Sequence, residues 1–201
     1  MSIVKLNNRS VKDITAFGSI SSLGSLTHIA TQTASSSASL SFTSGIDSTY
    51  KEYIFYFVNI HPATNATYLT FQGDRSGYSS YNQTITSTNF NPFHLENDSE
   101  AVLRYMTAQD QAQGTSFQPI SEDIKNDNDG SGCGFLHLFN PSSTTFVKHF
   151  ISQTQIMASA PGSYGTFCAG YFNTTNALDK LQFKMSSGNI DSGQILLFGL
   201  N

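Results

Sequence analysis

Lys125-Asn-Asp-Asn-Asp-Gly130 comes nearest in this sequence to a cation-binding loop, because it sets carboxylates at alternate positions just ahead of a glycine. Aligning Gly130 with the invariant glycine of an EF-hand puts Lys125 at the first ligand position and Leu136 at the last, where calcium needs carboxylate oxygen. The EF-hand reading fails on those two residues. A solvated tight turn is the expectation, with a calcium site of another kind at Asp127 and Asp129 as the alternative. His28, His61, His94, His137 and His149 could ligate a metal or act as bases, but none falls in H-x-x-x-H or H-E-x-x-H spacing. No metal and no cofactor is expected.

Catalysis finds no better footing. A nucleophile elbow would read Gly-x-Ser-x-Gly, which is absent, and the serines fall in turn-like tracts such as Ser35-Ser36-Ser37. Glycoside hydrolysis needs two carboxylates facing one cleft. Here the acids, among them Asp47, Glu52, Asp74, Glu96, Asp98 and Glu100, sit in predicted loops and strand margins. Gly130, Gly132 and Gly134 do not lie between a strand and a helix, so they form no phosphate loop. The chain reads as a non-enzyme. Aromatic side chains are the remaining resource: Tyr78 and Tyr81 follow Asp74 in a Gly/Ser-rich loop, and Tyr164 lies in Pro161-Gly-Ser-Tyr-Gly165. Such tyrosines can stack on sugar rings or anchor an interface, and the alternative is that they pack back on their own domain.

The elements that must carry these residues are strands. Ala38, Leu40 and Phe42 alternate with serines, and Leu181, Phe183 and Met185 alternate with Gln182 and Lys184, the period of a half-buried strand. Tyr53 to Ile60 is apolar on both faces, which predicts a central strand covered on both sides. Pro62 ends it, and Tyr68 to Gln72 is the predicted return strand of a hairpin. Further strands are predicted at 133–140, 146–155, 167–172 and 194–200, with turn chemistry at Asn140-Pro-Ser-Ser-Thr144. Ser99 to Asp110 alone has helical spacing, through Val102, Leu103 and Met106. About eight or nine strands point to an all-β, jelly-roll-like antiparallel β-sandwich over residues 26–201.

Residues 1–25 differ. Ile3, Val4, Leu6, Val11, Ile14 and Phe17 are isolated apolar residues in a polar segment, followed by a Gly/Ser connector. They fit an extended N-terminal arm docking along a partner surface, with a frayed terminus as the alternative. Net charge is −4 and only 12% of residues are charged, so solubility rests on Ser, Thr, Asn, Gln and Gly. Ten scattered basic residues argue against a nucleic-acid partner. The N-terminus lacks the apolar stretch of a secretory signal, and no run is long enough to span a bilayer, so a soluble chain with no membrane partner is expected. Cys133 and Cys168 read as buried free thiols.

Several segments carry a resemblance: Ile3-Val-Lys-Leu-Asn-Asn-Arg-Ser-Val-Lys-Asp-Ile14, Ala34-Ser-Ser-Ser-Ala-Ser-Leu-Ser-Phe-Thr-Ser-Gly-Ile-Asp-Ser-Thr-Tyr50, Phe146-Val-Lys-His-Phe150 and Ser187-Gly-Asn-Ile-Asp-Ser-Gly-Gln-Ile-Leu-Leu-Phe-Gly199. In these the chain resembles small virion-associated proteins of tailed phages, especially phages of marine bacteria. That resemblance implies a capsid decoration or head-fibre protein, assembled in the bacterial cytoplasm and carried on the virion. Its partners would be major capsid or tail proteins and further copies of itself in a symmetric oligomer such as a trimer. A tail-fibre module that binds a receptor or glycan through Tyr78, Tyr81 and Tyr164 is the alternative. The resemblance brings no catalytic residues with it.

Overall fold

The computed structural model describes residues 26–200. The six apolar residues of the expected arm, Ile3, Val4, Leu6, Val11, Ile14 and Phe17, lie outside the described residues. Within them the chain forms twelve strands: β1 (Thr27–Thr33), β2 (Leu40–Phe42), β3 (Glu52–Pro62), β4 (Leu69–Asp74), β5 (Ile85–Leu95), β6 (Ala101–Tyr105), β7 (Gln118–Pro119), β8 (Gly132–Phe139), β9 (Lys148–Met157), β10 (Gly162–Phe172), β11 (Lys180–Met185) and β12 (Ile190–Leu200). No helix among the described residues is long and apolar enough to cross a membrane.

The strands form the expected jelly-roll-like antiparallel sandwich, with unequal layers. An eight-stranded sheet runs β1-β12-β3-β8-β9-β10-β5-β6, and a four-stranded sheet runs β2-β11-β4-β7. Period two explains the core: β9 alternates buried and exposed along its length, so Phe150, Ser152, Thr154 and Ile156 face the small sheet. Aromatic rings fill the gap between layers. Phe183 of β11 meets Phe42, Phe55, Phe57 and Phe71 at centroid distances of 5.2 to 6.2 Å. Phe71 of β4 meets Phe150 and Phe172 of the large sheet edge-on at 5.0 and 5.9 Å. Edge-to-face pairs add to burial because the positive rim of one ring meets the negative face of the next.

Sequence and structure part company at four places. β3 is central in its sheet, but the small sheet covers only its inner face, and outward Val58 is exposed. β3 and β4 form no hairpin, since the chain crosses between layers after Pro62 and β4 pairs with β11 and β7. Ser99 to Asp110 is not helical: β6 pairs with β5 through a tight turn closed by Leu95 N–H donating to Glu100 C=O at 3.0 Å. Ladder bonds to β5 decide the backbone there, because the apolar side chains of β6 are exposed and define no helical core face. Finally, Cys168 is buried and its thiol is pushed up to about 12 by desolvation, whereas Cys133 is exposed.

β5 has no counterpart in the sequence reading because the middle of its inward face, between Ile85 and Phe93, is polar. Ser87 Oγ donates to Gln118 Oε1 at 2.7 Å, Asn89 Nδ2 to Pro119 C=O at 3.3 Å and Asn91 Nδ2 to Gly165 C=O at 2.8 Å. Pro92 removes a ladder donor, and the β10 register skips Asn91 and Pro92. The Asn91 amide takes the place of the missing rung. Lys148, fully buried at the start of β9, is likewise held by backbone, its Nζ donating to Phe146 C=O at 2.6 Å and Thr174 C=O at 3.2 Å. Burial lowers its pKa.

The inter-sheet ring cluster yields a direct prediction. Phe71→Ala leaves Phe150, Phe172 and Phe183 facing a void, and the expected loss is about 3–5 kcal/mol of unfolding free energy, read from the midpoint of urea denaturation.

Candidate functional site

Most residues singled out for chemistry have ordinary structural partners. Lys125 Nζ meets Asp127 Oδ2 at 2.6 Å, and Gly130 N–H donates to Asp127 C=O at 2.7 Å, so the Asp-rich segment closes on itself as a turn. His28 bonds Thr31 Oγ1, His61 bonds Gly130 C=O, His94 bonds Asp98 and His137 bonds Glu52. The histidines are thus dispersed over the sandwich. Among the described residues no group of three or more His, Cys, Asp or Glu could hold a metal ion.

The three tyrosines do not share a surface. Tyr164 lies on the inner face of strand β10, only 8% exposed, its ring stacked on Phe93 at 4.8 Å. Alternation decides this, since Tyr164, Thr166 and Cys168 point the same way into the core. Tyr81 is half-buried, with its N–H donating to Asp74 Oδ2 at 3.0 Å. Tyr78 is 50% exposed beneath the Arg75 guanidinium, 4.0 Å from its ring centroid. Tyr78 and Tyr81 sit in the β4 to β5 connection, away from Tyr164.

What the fold does assemble is a face. With the inner side of the large sheet packed on the small one, alternate residues of all eight strands must point outward. Register sets them in a row: Thr31, Leu196, Tyr56, Phe135, Gln153, Phe167, Phe90 and Tyr105 are successive cross-strand neighbours from β1 to β6. A parallel row runs His28, Phe198, Ile54, His137, Ile151, Ala169 and Thr88. Tyr56 packs on Phe198 and Phe135 at 5.7 and 6.5 Å, and Phe90 stacks flat on Phe167 at 5.0 Å. Ile54, although on this face, is buried.

The face is grooved over β9 and β10 because small residues there stand between larger ones. One hollow of about 460 Å³ lies over Gly170 and Ala169, walled by Phe139, His149, Ile151 and Tyr171. Gly170 belongs to the inner face, where a side chain would run into Phe150 at 2.7 Å and Thr86 C=O at 2.5 Å, so on the outer side the floor is Ala169 and bare backbone. A second hollow of about 200 Å³ lies between Phe135, Ile151, Phe167 and Phe90. Ile151, 51% exposed, stands between the two.

Lys, Arg, Asp and Glu are missing from the outward side of five of its strands. Across β8, β9, β10, β5 and β6 the only Lys, Arg, Asp or Glu residues are Lys148, which is buried, and Arg104. Arg104 turns to the interior side, its Nε donating to Asn91 Oδ1 at 3.3 Å and its Nη2 lying 3.9 Å from Glu122 Oε2. No Lys, Arg, Asp or Glu faces outward on these strands, whose outward polar groups are the imidazoles of His94, His137 and His149 with the amides and hydroxyls of Gln153, Gln155 and Thr88, so the face can bind by apolar contact and by hydrogen bonds. Comparison of the chain with protein-family models, curated proteins and solved structures finds no match.

Beneath the β5 and β6 edge of the face lies a buried polar cluster. Glu122, almost fully buried, accepts from Gln109 Nε2 at 3.1 Å, while Gln109 Oε1 has no partner among the described residues. Desolvation raises the Glu122 carboxyl above its ordinary 4.5, against the pull of Arg104, and desolvation raises Asp123 as well. The folded chain therefore holds the Glu122 proton more tightly than the unfolded chain does. That contribution to stability is complete below the ordinary value and is lost as pH rises through the raised one. Glu122→Gln keeps the acceptor and offers Gln109 Oε1 a donor, so the urea midpoint of the variant is expected to fall less than that of the parent between about pH 4 and about pH 7.

Proposed function

We propose that this chain is a structural component of a phage particle, a capsid decoration or head-fibre protein, rather than an enzyme. It docks on neighbouring virion subunits through the outward face of β8, β9, β10 and β5. The observation that supports the reading is the uncharged face itself: four adjacent strands present Phe135, Ile151, Phe167 and Phe90 with no charged residue among their outward positions. Extended apolar patches on soluble proteins are interaction sites, and an uncharged one suits permanent contact with another protein better than an encounter steered by charge. The sequence resemblance to virion-associated proteins names the particle. Residues 1–25 contribute an anchoring arm, and assembly takes place in the host bacterial cytoplasm before display on the virion.

Occupancy on purified particles tests the reading. Ile151→Asp places a carboxylate between the two hollows at an exposed position, so the fold is spared while the face gains a charge that docking must desolvate. Copies per particle are expected to fall about tenfold or more, with thermal unfolding unchanged. Full occupancy by the variant would overturn docking through this face.

A further inference from the structure

The sandwich has four strand edges among its described residues, and three of them are blunted. β7 has two residues, one of them Pro119, and β2 has three. β1 carries a register break between His28 and Ala30. Short strands, proline and bulges are the usual protections against edge-to-edge pairing. β6 has none of them: its five residues pair with β5 without interruption, and its one charge, on Arg104, turns toward Asn91 and Glu122. Leu103 and Tyr105 are 68% and 52% exposed.

We infer that β6 pairs with β6 of a second copy, antiparallel about a two-fold axis at Leu103, so that two large sheets become one. The backbone is set for it. Met106 N–H donates to Asn89 C=O and Leu95 N–H to Glu100 C=O, so even-numbered residues from Glu100 to Met106 turn their peptide groups to β5. Ala101, Leu103 and Tyr105 turn theirs to the open side. Centring on Leu103 lets its N–H and C=O bond their own counterparts, and sets Ala101 against Tyr105 in both directions. The side chains agree with the backbone. Small Ala101 leaves room for the Tyr105 ring, which Asp110 Oδ2 holds through its hydroxyl at 2.6 Å, and Arg104 falls opposite Val102, so no like charges meet. The outward row that ends at Phe90 and Tyr105 then continues into the second copy. A two-fold contact of one patch with itself closes at the dimer, whereas pairing β6 with β1 would go on adding copies.

Sedimentation of the full chain, free of particles, tests this independently of the docking role proposed above. A reversible dimer is expected, with amide exchange at Leu103 slowed about tenfold or more as the dimer forms. Leu103→Asp, which opposes two carboxylates across the axis, is expected to leave a folded monomer with fast exchange at positions 101 and 105. A chain monomeric up to about 1 mM would overturn the inference, as would a dimer that leaves the Leu103 amide unprotected or survives Leu103→Asp, or association without limit.

Discussion

Everything outward in this molecule depends on the ring packing between its layers. Phe183, Phe71 and Phe55 lock the inner faces of the two sheets together, with Phe42, Phe57, Phe150 and Phe172 completing the cluster. Once those rings face inward, period two leaves the other residues of each strand no choice of side. A one-residue slip in β9 would send Ile151 and Gln153 into the core and bring out Phe150 and Ser152. The core is therefore what fixes the composition of the surface, and the outward rows are a consequence of inward packing as much as a feature in their own right.

The unequal widths of the sheets set a second constraint. Four strands cannot cover eight, and β7, the edge of the small sheet on the β4 side, is only two residues long. Under β5 the gap is filled by polar side chains rather than rings: Gln72, Gln109, Gln118, Ser87, Asn89 and Asn91 are all buried. Gln72 Nε2 alone donates toward Gln83, Thr115 and Ser116 carbonyls, tying irregular backbone where no strand is available to pair with it. Buried amides of this kind contribute little net energy, but leaving any one unpaired is costly, so the network specifies one arrangement of the loops. That arrangement carries Glu122 and Arg104, and through Arg104 it turns the only charge of β6 away from the open edge.

Legibility in the sequence followed the contrast between faces. β9 and β11 alternate apolar with polar, and their positions are readable; β5 hides because Ser87, Asn89 and Asn91 stand where apolar residues would mark the inner face. β6 misleads for the opposite reason, since its apolar residues are exposed and so carry no information about a core. Strand partners are less legible still. Nothing in Tyr68 to Gln72 distinguishes a return to β3 from pairing with β11, because both offer an apolar neighbour. The outward rows are invisible along the chain, as their members lie on eight strands and meet only through register. One signal for the face was present in composition: from Gly132 to Phe172 the sequence carries a single Lys, Arg, Asp or Glu, the buried Lys148.

That stretch bears on why the chain is built with so few charges at all. Interspersed charges keep a monomer apart from its neighbours, and natural strands flank unavoidable apolar runs with charged residues for this purpose. Here the acids gather in connections, with Glu96, Asp98 and Glu100 between β5 and β6 and Asp127 and Asp129 before β8, while the strands between carry Gln, Ser and Thr. Uncharged polar side chains hold water weakly enough to release it on contact, and they can exchange those bonds for bonds to a partner. A surface of this kind costs less to bury than one studded with Lys and Glu, so the low overall charge and the bare outer face both suit the docking role proposed for this sheet.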